Sequence, residues 1–204
     1  MSSIDKLTEY FKRFPGIGER QAKRFVYYLL HKDQSYLNEL VSLIKEIKSE
    51  ISQCPSCYVY FQSGGAKSCD ICLGVDTDKS ILMVVEKDTD YQNIRHSGFY
   101  KGLYFILGGL VAPIEKSSNQ FVRIKELLKT VEEKAKAKNL NEVILSLSLT
   151  PQGEFTEVYL RRELAPLEVK YGFKISSLGR GLSTGLELEY SDPETLKNAL
   201  KNRQ

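Results

Sequence analysis

Cys54-Pro-Ser-Cys57-Tyr-Val-Tyr-Phe-Gln-Ser-Gly-Gly-Ala-Lys-Ser-Cys69-Asp-Ile-Cys72 is the stretch that divides this chain into its parts. It holds two Cys-x-x-Cys pairs with eleven residues between them, and it contains all four cysteines of the 204-residue chain. Each pair forms a tight knuckle that presents two thiolates to one centre, and two knuckles complete a tetrahedral site. Four sulfur ligands leave no position for a reacting water, so the metal expected at Cys54, Cys57, Cys69 and Cys72 is one structural zinc per chain. Residues this few cannot bury a core, and metal binding would supply their folding energy, roughly 10–16 kcal/mol in small zinc modules. Iron in the same sulfur geometry is the alternative metal. Two disulfides, a redox pair or unliganded thiols are the other readings of four cysteines. The N-terminus, Met1-Ser2-Ser3-Ile4-Asp5-Lys6, lacks an apolar leader, which points to a reducing cytoplasm and against disulfides.

Upstream of the cysteines, the first 53 residues read as helical. Leu7, Tyr10, Phe11 and Phe14 recur at three and four. Ala22, Phe25, Val26, Leu29 and Leu30 form a second such face, and Leu37, Leu40, Val41, Ile44, Ile47 and Ile51 a third. Downstream, short apolar runs alternate with helical patterns: strands over Ile81–Val85, Leu103–Leu107, Val143–Leu149, Val169–Ser176 and Thr184–Tyr190, and helices over Phe121–Lys138 and Glu154–Leu164. Asp192 is placed to cap a last helix through Leu200. Such alternation predicts a mostly parallel sheet with helical crossovers. The fold class is therefore a mixed α+β and α/β chain: a helical head over 1–53, a zinc module over 54–72, an α/β body over 79–176, and a C-terminal strand and helix over 177–204.

Bulk composition narrows function little. Hydrophobic residues make up 42% and charged residues 27%, an ordinary globular balance, and the net charge is only +3. Any nucleic-acid contact must then come from local clustering. The longest apolar run, Tyr104 to Pro113, is too short to span a bilayer and holds Gly108 and Gly109, so no membrane role is expected.

The clustering occurs at Phe14-Pro15-Gly16-Ile17-Gly18-Glu19-Arg20-Gln21-Ala22-Lys23-Arg24, where Pro and Gly break one helical pattern just before the next. Gly16 and Gly18 allow close approach of backbone amides to a ligand. The helix that follows carries unpaired N–H groups and a partial positive charge at its start, which suit a phosphate. Arg20, Lys23 and Arg24 lie in its first turns. An ordinary helical hairpin with a solvated basic face is the bland reading. The pattern resembles the helix-hairpin-helix of DNA-repair proteins, which implies backbone contact without sequence specificity.

The order of these parts, with an α/β body opening on Val84-Val85-Glu86, resembles the RecR family of recombination mediators over essentially the whole chain. The tail, Gly179-Arg-Gly-Leu-Ser-Thr-Gly-Leu-Glu-Leu-Glu-Tyr190 followed by Asp192 and Thr195-Leu196, is similar to that family's C-terminal strand and helix. The resemblance implies a DNA-binding repair accessory protein, not an enzyme. It also implies partners of RecF and RecO type, loading of a RecA-type recombinase at gapped DNA, dimers assembling into a tetrameric ring, and a cytoplasmic, nucleoid-associated location.

The body in that family is a Toprim domain, whose catalytic members need a strand-end glutamate and a DxD pair to hold magnesium. Glu86 fits the first position. Where the second belongs, the chain reads Ser148-Leu-Thr-Pro-Gln-Gly-Glu-Phe-Thr156, with Gln152 in place of an expected glutamate. Glu86 and Glu154 are thus partner-binding candidates, and a magnesium-dependent nuclease or primase-like enzyme using them is the alternative. Asp76, Asp78, Asp88 and Asp90 form DxD strings outside that position and read as turn or cap residues. His31 and His96 suggest no catalytic arrangement.

Overall fold

The computed structural model describes residues 1–112, 122–179, 181, 182, 185 and 187–201. The chain divides into two compact units, Met1–Ser52 and Gln53–Gln204.

In the first unit, α1 (Ser3–Lys12) starts from a capping box: Ser2 Oγ accepts the Asp5 N–H, and the Asp5 carboxylate accepts the Ser2 N–H. α2 (Glu19–Leu30) packs against it, burying Thr8, Ala22 and Val26, with the Phe11 ring set edge-on to Phe25 at 5.6 Å. α3 (Gln34–Glu50) is capped by Asp33, which accepts the Tyr36 N–H at 2.8 Å. It buries no residue, and Val41, Ile44 and Ile47 are each more than half exposed. The helical reading of residues 1–53 needs one correction. Ile51–Gln53 form a strand, β1, paired with β2 (Tyr60–Gln62), because the ladder gives these amides partners just ahead of the first cysteine.

The second unit is built on four parallel strands: β3 (Asp78–Val85), β4 (Gly102–Ile106), β5 (Glu142–Ser146) and β6 (Lys174–Ser177), ordered β4-β3-β5-β6. Its helices are the short α4 (Asp70–Leu73), then α5 (Asp88–Ser97), α6 (Ile124–Lys136) and α7 (Pro151–Tyr171). From β3 the chain steps outward to β4, then returns past β3 to β5 and on to β6. With right-handed crossovers, that reversal puts α5 on one face and α6 and α7 on the other. Alternation along β3 feeds both faces. Leu82 and Val84 pack with Leu127, Val131, Leu160 and Leu164, whereas Met83 and Val85 pack with Tyr91, Val59 and the cysteines.

Other expectations are displaced. α7 continues seven residues past Leu164, through the exposed Pro166, so the strand expected from Val169 begins only at Lys174. Leu160, Leu164, Leu167 and Tyr171 keep helical phase against the core, and Gly172 at φ 77° ends the helix with its N–H on Glu168 O. No expectation covers α5 and the short α4, because α5 is mostly polar and α4 is only four residues long. Leu188–Tyr190 wind one 3-10 turn where a strand over Thr184–Tyr190 was expected; Leu188 and Tyr190 are exposed, and no strand among the described residues pairs with them. Part of Gly179–Tyr190, and Phe121 at the expected start of a helix, lie outside the described residues. Asp192 accepts the Thr195 N–H at 2.9 Å at the start of α8 (Pro193–Lys201), as expected for a cap. Of the DxD residues, Asp78 accepts the Ser80 N–H two residues on, and Asp90 accepts the Lys87 N–H at the start of α5.

Candidate metal centre and nucleic-acid interface

The four cysteines converge, although eleven residues separate their pairs. Their sulfurs all lie within 4.8 Å of one another, with Cys54 and Cys72 at 3.8 Å and Cys57 and Cys69 at 3.5 Å. A tetrahedron with metal–sulfur bonds near 2.3 Å has edges of about 3.8 Å, so the spacing fits one ion. A disulfide would need about 2.05 Å, and all four cysteines are free. Backbone bonds set each knuckle: Tyr58 N–H to Cys54 O and Cys54 N–H to Val59 O, both at 2.9 Å, and Leu73 N–H to Cys69 O at 3.1 Å. Crowding splits the thiols. Hydrogen bonds from Cys57 and Cys72 hold the Cys69 thiol far below its usual range, while its bond to Cys69 and burial drive Cys57 up. A central divalent cation would relieve this by drawing all four toward thiolate.

The module is tied to the sheet by contacts that sequence reading missed. Ile106 N–H donates to Cys57 O at 2.9 Å, so the first knuckle occupies part of the outer edge of β4. Tyr58, at φ 64°, sets its ring edge-on to Phe105 at 5.3 Å, and Arg123 stacks over it at 4.6 Å. Arg95 on α5 reaches Asp70 at 2.6 Å and also donates to the Tyr91 hydroxyl. These partners are distant in sequence, and their types (Tyr, Arg, Asp) carry no pattern.

On the body, the sheet order reverses between β3 and β5, and in open parallel sheets ligands gather outside the carboxyl ends of strands at such a point. Glu86 follows β3 there, accepting from Ser148 Oγ, just beyond β5, at 2.7 Å. Thr150 caps α7 by accepting the Gly153 N–H, and Gly153 is required because a Cβ would overlap the Ser148 carbonyl. Glu154 lies exposed in the first turn of α7, and Thr156 is buried, accepting the Val111 N–H at 2.9 Å. Among the described residues, the cysteine quartet is the one convergent group of three or more metal-ligating side chains.

In the head, Gly16 takes φ 75°, a left-handed conformation that turns the chain between α1 and α2. Gly18 caps α2 with no side-chain bond to its first amides. Arg20, Lys23 and Arg24 are exposed on the first turns. Lys23 is engaged by Glu19 at 2.6 Å, and Arg24 reaches Gln21 at 3.4 Å. No helix among the described residues is long and apolar enough to cross a membrane.

A glycine-turned helical hairpin, a four-thiol module and a doubly wound parallel body define a protein of the helix-hairpin-helix and Toprim type, and known proteins match in the same order. The RecR helix-hairpin-helix family matches residues 4–48, the Toprim domain residues 80–178, and the RecR C-terminal family residues 181–204. Proteins named "Recombination protein RecR" align along the chain. That of Dehalococcoides mccartyi is 35% identical over 202 residues, covering 99% of this chain and 94% of the relative. That of Chlorobium limicola is 34% identical over 202 residues, covering 99% and 96%. That of Lactobacillus acidophilus is 33% identical over 200 residues, covering 98% and 96%. The chain belongs to the RecR family. Membership favours the recombination-accessory reading over the nuclease or primase-like alternative.

Proposed function

We propose that this chain is a non-enzymatic, DNA-binding accessory protein of recombinational repair. With RecF- and RecO-type partners it helps load a RecA-type recombinase at gapped DNA, in the cytoplasm and at the nucleoid. The observation that carries this reading is the hairpin: a glycine turn delivers the uncapped amides of α2 beside Arg20 and Arg24. Amides and arginines at one helix start suit a phosphate and read no base. Gly16, Gly18, Arg20, Lys23 and Arg24 form the DNA-binding set, with Lys23 partly neutralised by Glu19.

The metal is one structural zinc, because four thiolates at tetrahedral spacing suit a d10 ion without redox chemistry. Glu86 and Glu154, acidic groups at the carboxyl end of the sheet, serve partner binding. Magnesium catalysis is disfavoured because Gln152 stands where a carboxylate is needed. Self-association to a dimer and then a ring rests on two apolar surfaces: Ile44 and Ile47 on α3, and Leu188, Tyr190 and Leu200 in the tail, all more than half exposed. Two distinct self-complementary faces per chain are what a closed dimer of dimers requires.

A salt series tests the reading. Arg20→Ala and Arg24→Ala should each weaken all DNA sequences about equally and flatten log affinity against log salt by about one unit per lost contact. Coincident curves for wild type, both variants and the double variant, with and without a RecO-type partner, would remove the hairpin from DNA binding.

A further inference from the structure

We propose that Tyr10, Arg13 and Phe14 form a stacking platform for an unpaired base, so that the head recognises the boundary between single- and double-stranded DNA. The proposal rests on the hairpin reading above and names the DNA structure that the same site prefers. Tyr10 lies in the last turn of α1 and Phe14 two residues past its end, where its N–H still donates to Phe11 O at 3.1 Å, directly before the Pro15–Gly18 turn. Both are large aromatics left in solvent, at 63% and 59% exposure. The Arg13 guanidinium lies over the Tyr10 ring, 4.9 Å from its centre, which sets a planar cation against an aromatic face.

The platform is rigidly supported. Phe14 leans on Phe11 with ring centres 6.0 Å apart, and Phe11 is fixed edge-on against Phe25 of α2. Side chains so held lose little further freedom on binding, which favours a stacked ligand. Charge selects the occupant. Arg13, Arg20 and Arg24 and the positive end of α2 gather around the same turn, matching a strand that carries one phosphate per base. A second exposed aromatic group, Tyr28 and Tyr36 under Lys32, lacks this setting. It lies at the other end of the 12-residue α2, about 18 Å away and at the negative pole of the helix.

A phosphate gripped by the hairpin would place the neighbouring nucleotide over Tyr10 and Phe14. In duplex DNA that base is stacked within the helix and unavailable. In a gap it is free to move onto the platform. Stacking on aromatic side chains accepts any base, so the preference is for strand state and not for sequence.

The test compares the full-length protein on blunt duplex and on the same duplex interrupted by a gap. Tyr10→Ala and Phe14→Leu should leave duplex affinity unchanged and weaken gapped DNA by roughly 5- to 150-fold, the range for losing one stacked base. Phe14→Leu keeps the apolar contact with Phe11, and Phe14→Tyr should restore gapped binding. A fluorescent base analogue at the first unpaired position should be quenched by wild type and not by Tyr10→Ala. Equal losses on both DNAs, or none on either, overturn the platform. Arg24→Ala run in parallel separates the two ideas, because it should weaken both DNAs together. If it does and the platform variants change nothing, the hairpin reading stands and the platform alone falls.

Discussion

The head and the body of this chain invest their apolar residues differently. In the body, fifteen residues form one buried cluster, and a second cluster joins β3, β4 and α5 to the cysteines. In the head, α1 and α2 bury only Thr8, Ala22 and Val26, while α3 leaves Val41, Ile44 and Ile47 in solvent. Burial near 25 cal/mol per Å2 makes the body the seat of stability. The head contributes exposed cations, exposed aromatics and an uncovered apolar face, all suited to contact with something else. A side chain that must meet DNA or another chain cannot also be spent on the core.

The largest expected effect falls on the metal module, which belongs energetically to the body. Removing the ion by chelation, or replacing one ligand in Cys57→Ser, should free the knuckle whose carbonyl holds Ile106 on the edge of β4. Val59, Tyr91 and Ile106 would lose packing with the cysteines. Wild type should carry one metal per chain. The variant should carry none and melt more than about 10 °C lower, since several kcal/mol of metal-linked folding energy is lost. Metal analysis and a melting curve decide it; a metal-free wild type with unchanged melting ends the idea.

Next come paired truncations that set body against head. Phe105→Ala, in a fully buried strand position, should cost about 3–5 kcal/mol. Ile44→Ala should change monomer stability by no more than about 0.5 kcal/mol and weaken self-association. Denaturant unfolding and light scattering separate these outcomes. If Ile44→Ala proves as costly as Phe105→Ala in a monomer, α3 is covered within its own chain and the contrast collapses.

Alkaline titration sharpens the comparison further. Burial raises the phenols of Tyr100 and Tyr104 in the body, the latter to about 12. The folded state then keeps protons that the unfolded chain releases near pH 10, so this contribution is complete below about pH 10 and is lost as pH climbs toward 12. Tyr104→Phe should lessen that loss. Phenolate absorbance alongside unfolding measurements checks it, and an unchanged alkaline slope in Tyr104→Phe would show that this phenol is not its source.

Much of this contrast was legible in the residues. Paired Cys-x-x-Cys spacing is geometry written directly into sequence, and the Pro-Gly-Ile-Gly turn marks a break that few other structures require. Buried runs such as Ile81–Val85 announce parallel strands because both faces are covered. The length of α7 was hidden because Pro166 costs a helix interior one backbone bond, whereas Leu160, Leu164, Leu167 and Tyr171 on either side of it stay in helical phase against the core. Arg95, Asp70 and Arg123 were invisible for another reason. Their meaning lies in partners 17 or more residues away, Asp70 for Arg95 and the Ile106 carbonyl and Tyr58 ring for Arg123, and not in local spacing.

The smallest expected effect concerns Lys23. It lies in the first turns of α2 beside Arg20 and Arg24, yet its ammonium is held by the Glu19 carboxylate at 2.6 Å. Both side chains are more than half exposed, so the pair adds little to stability. It does matter to charge: toward a phosphate, Lys23 and Glu19 together present almost no net field, while Arg20 makes no ion pair among the described residues. Lys23→Ala should therefore weaken DNA binding less than Arg24→Ala and change the salt slope by well under one unit. Glu19→Gln should do the reverse, releasing Lys23 and removing a repelling carboxylate, so that affinity rises at low salt and converges with wild type as screening shortens the reach of both charges. Helix content should hold in both variants. Should Lys23→Ala cost as much as Arg24→Ala across the salt series, DNA must displace Glu19 on binding, and the three cations act as equals.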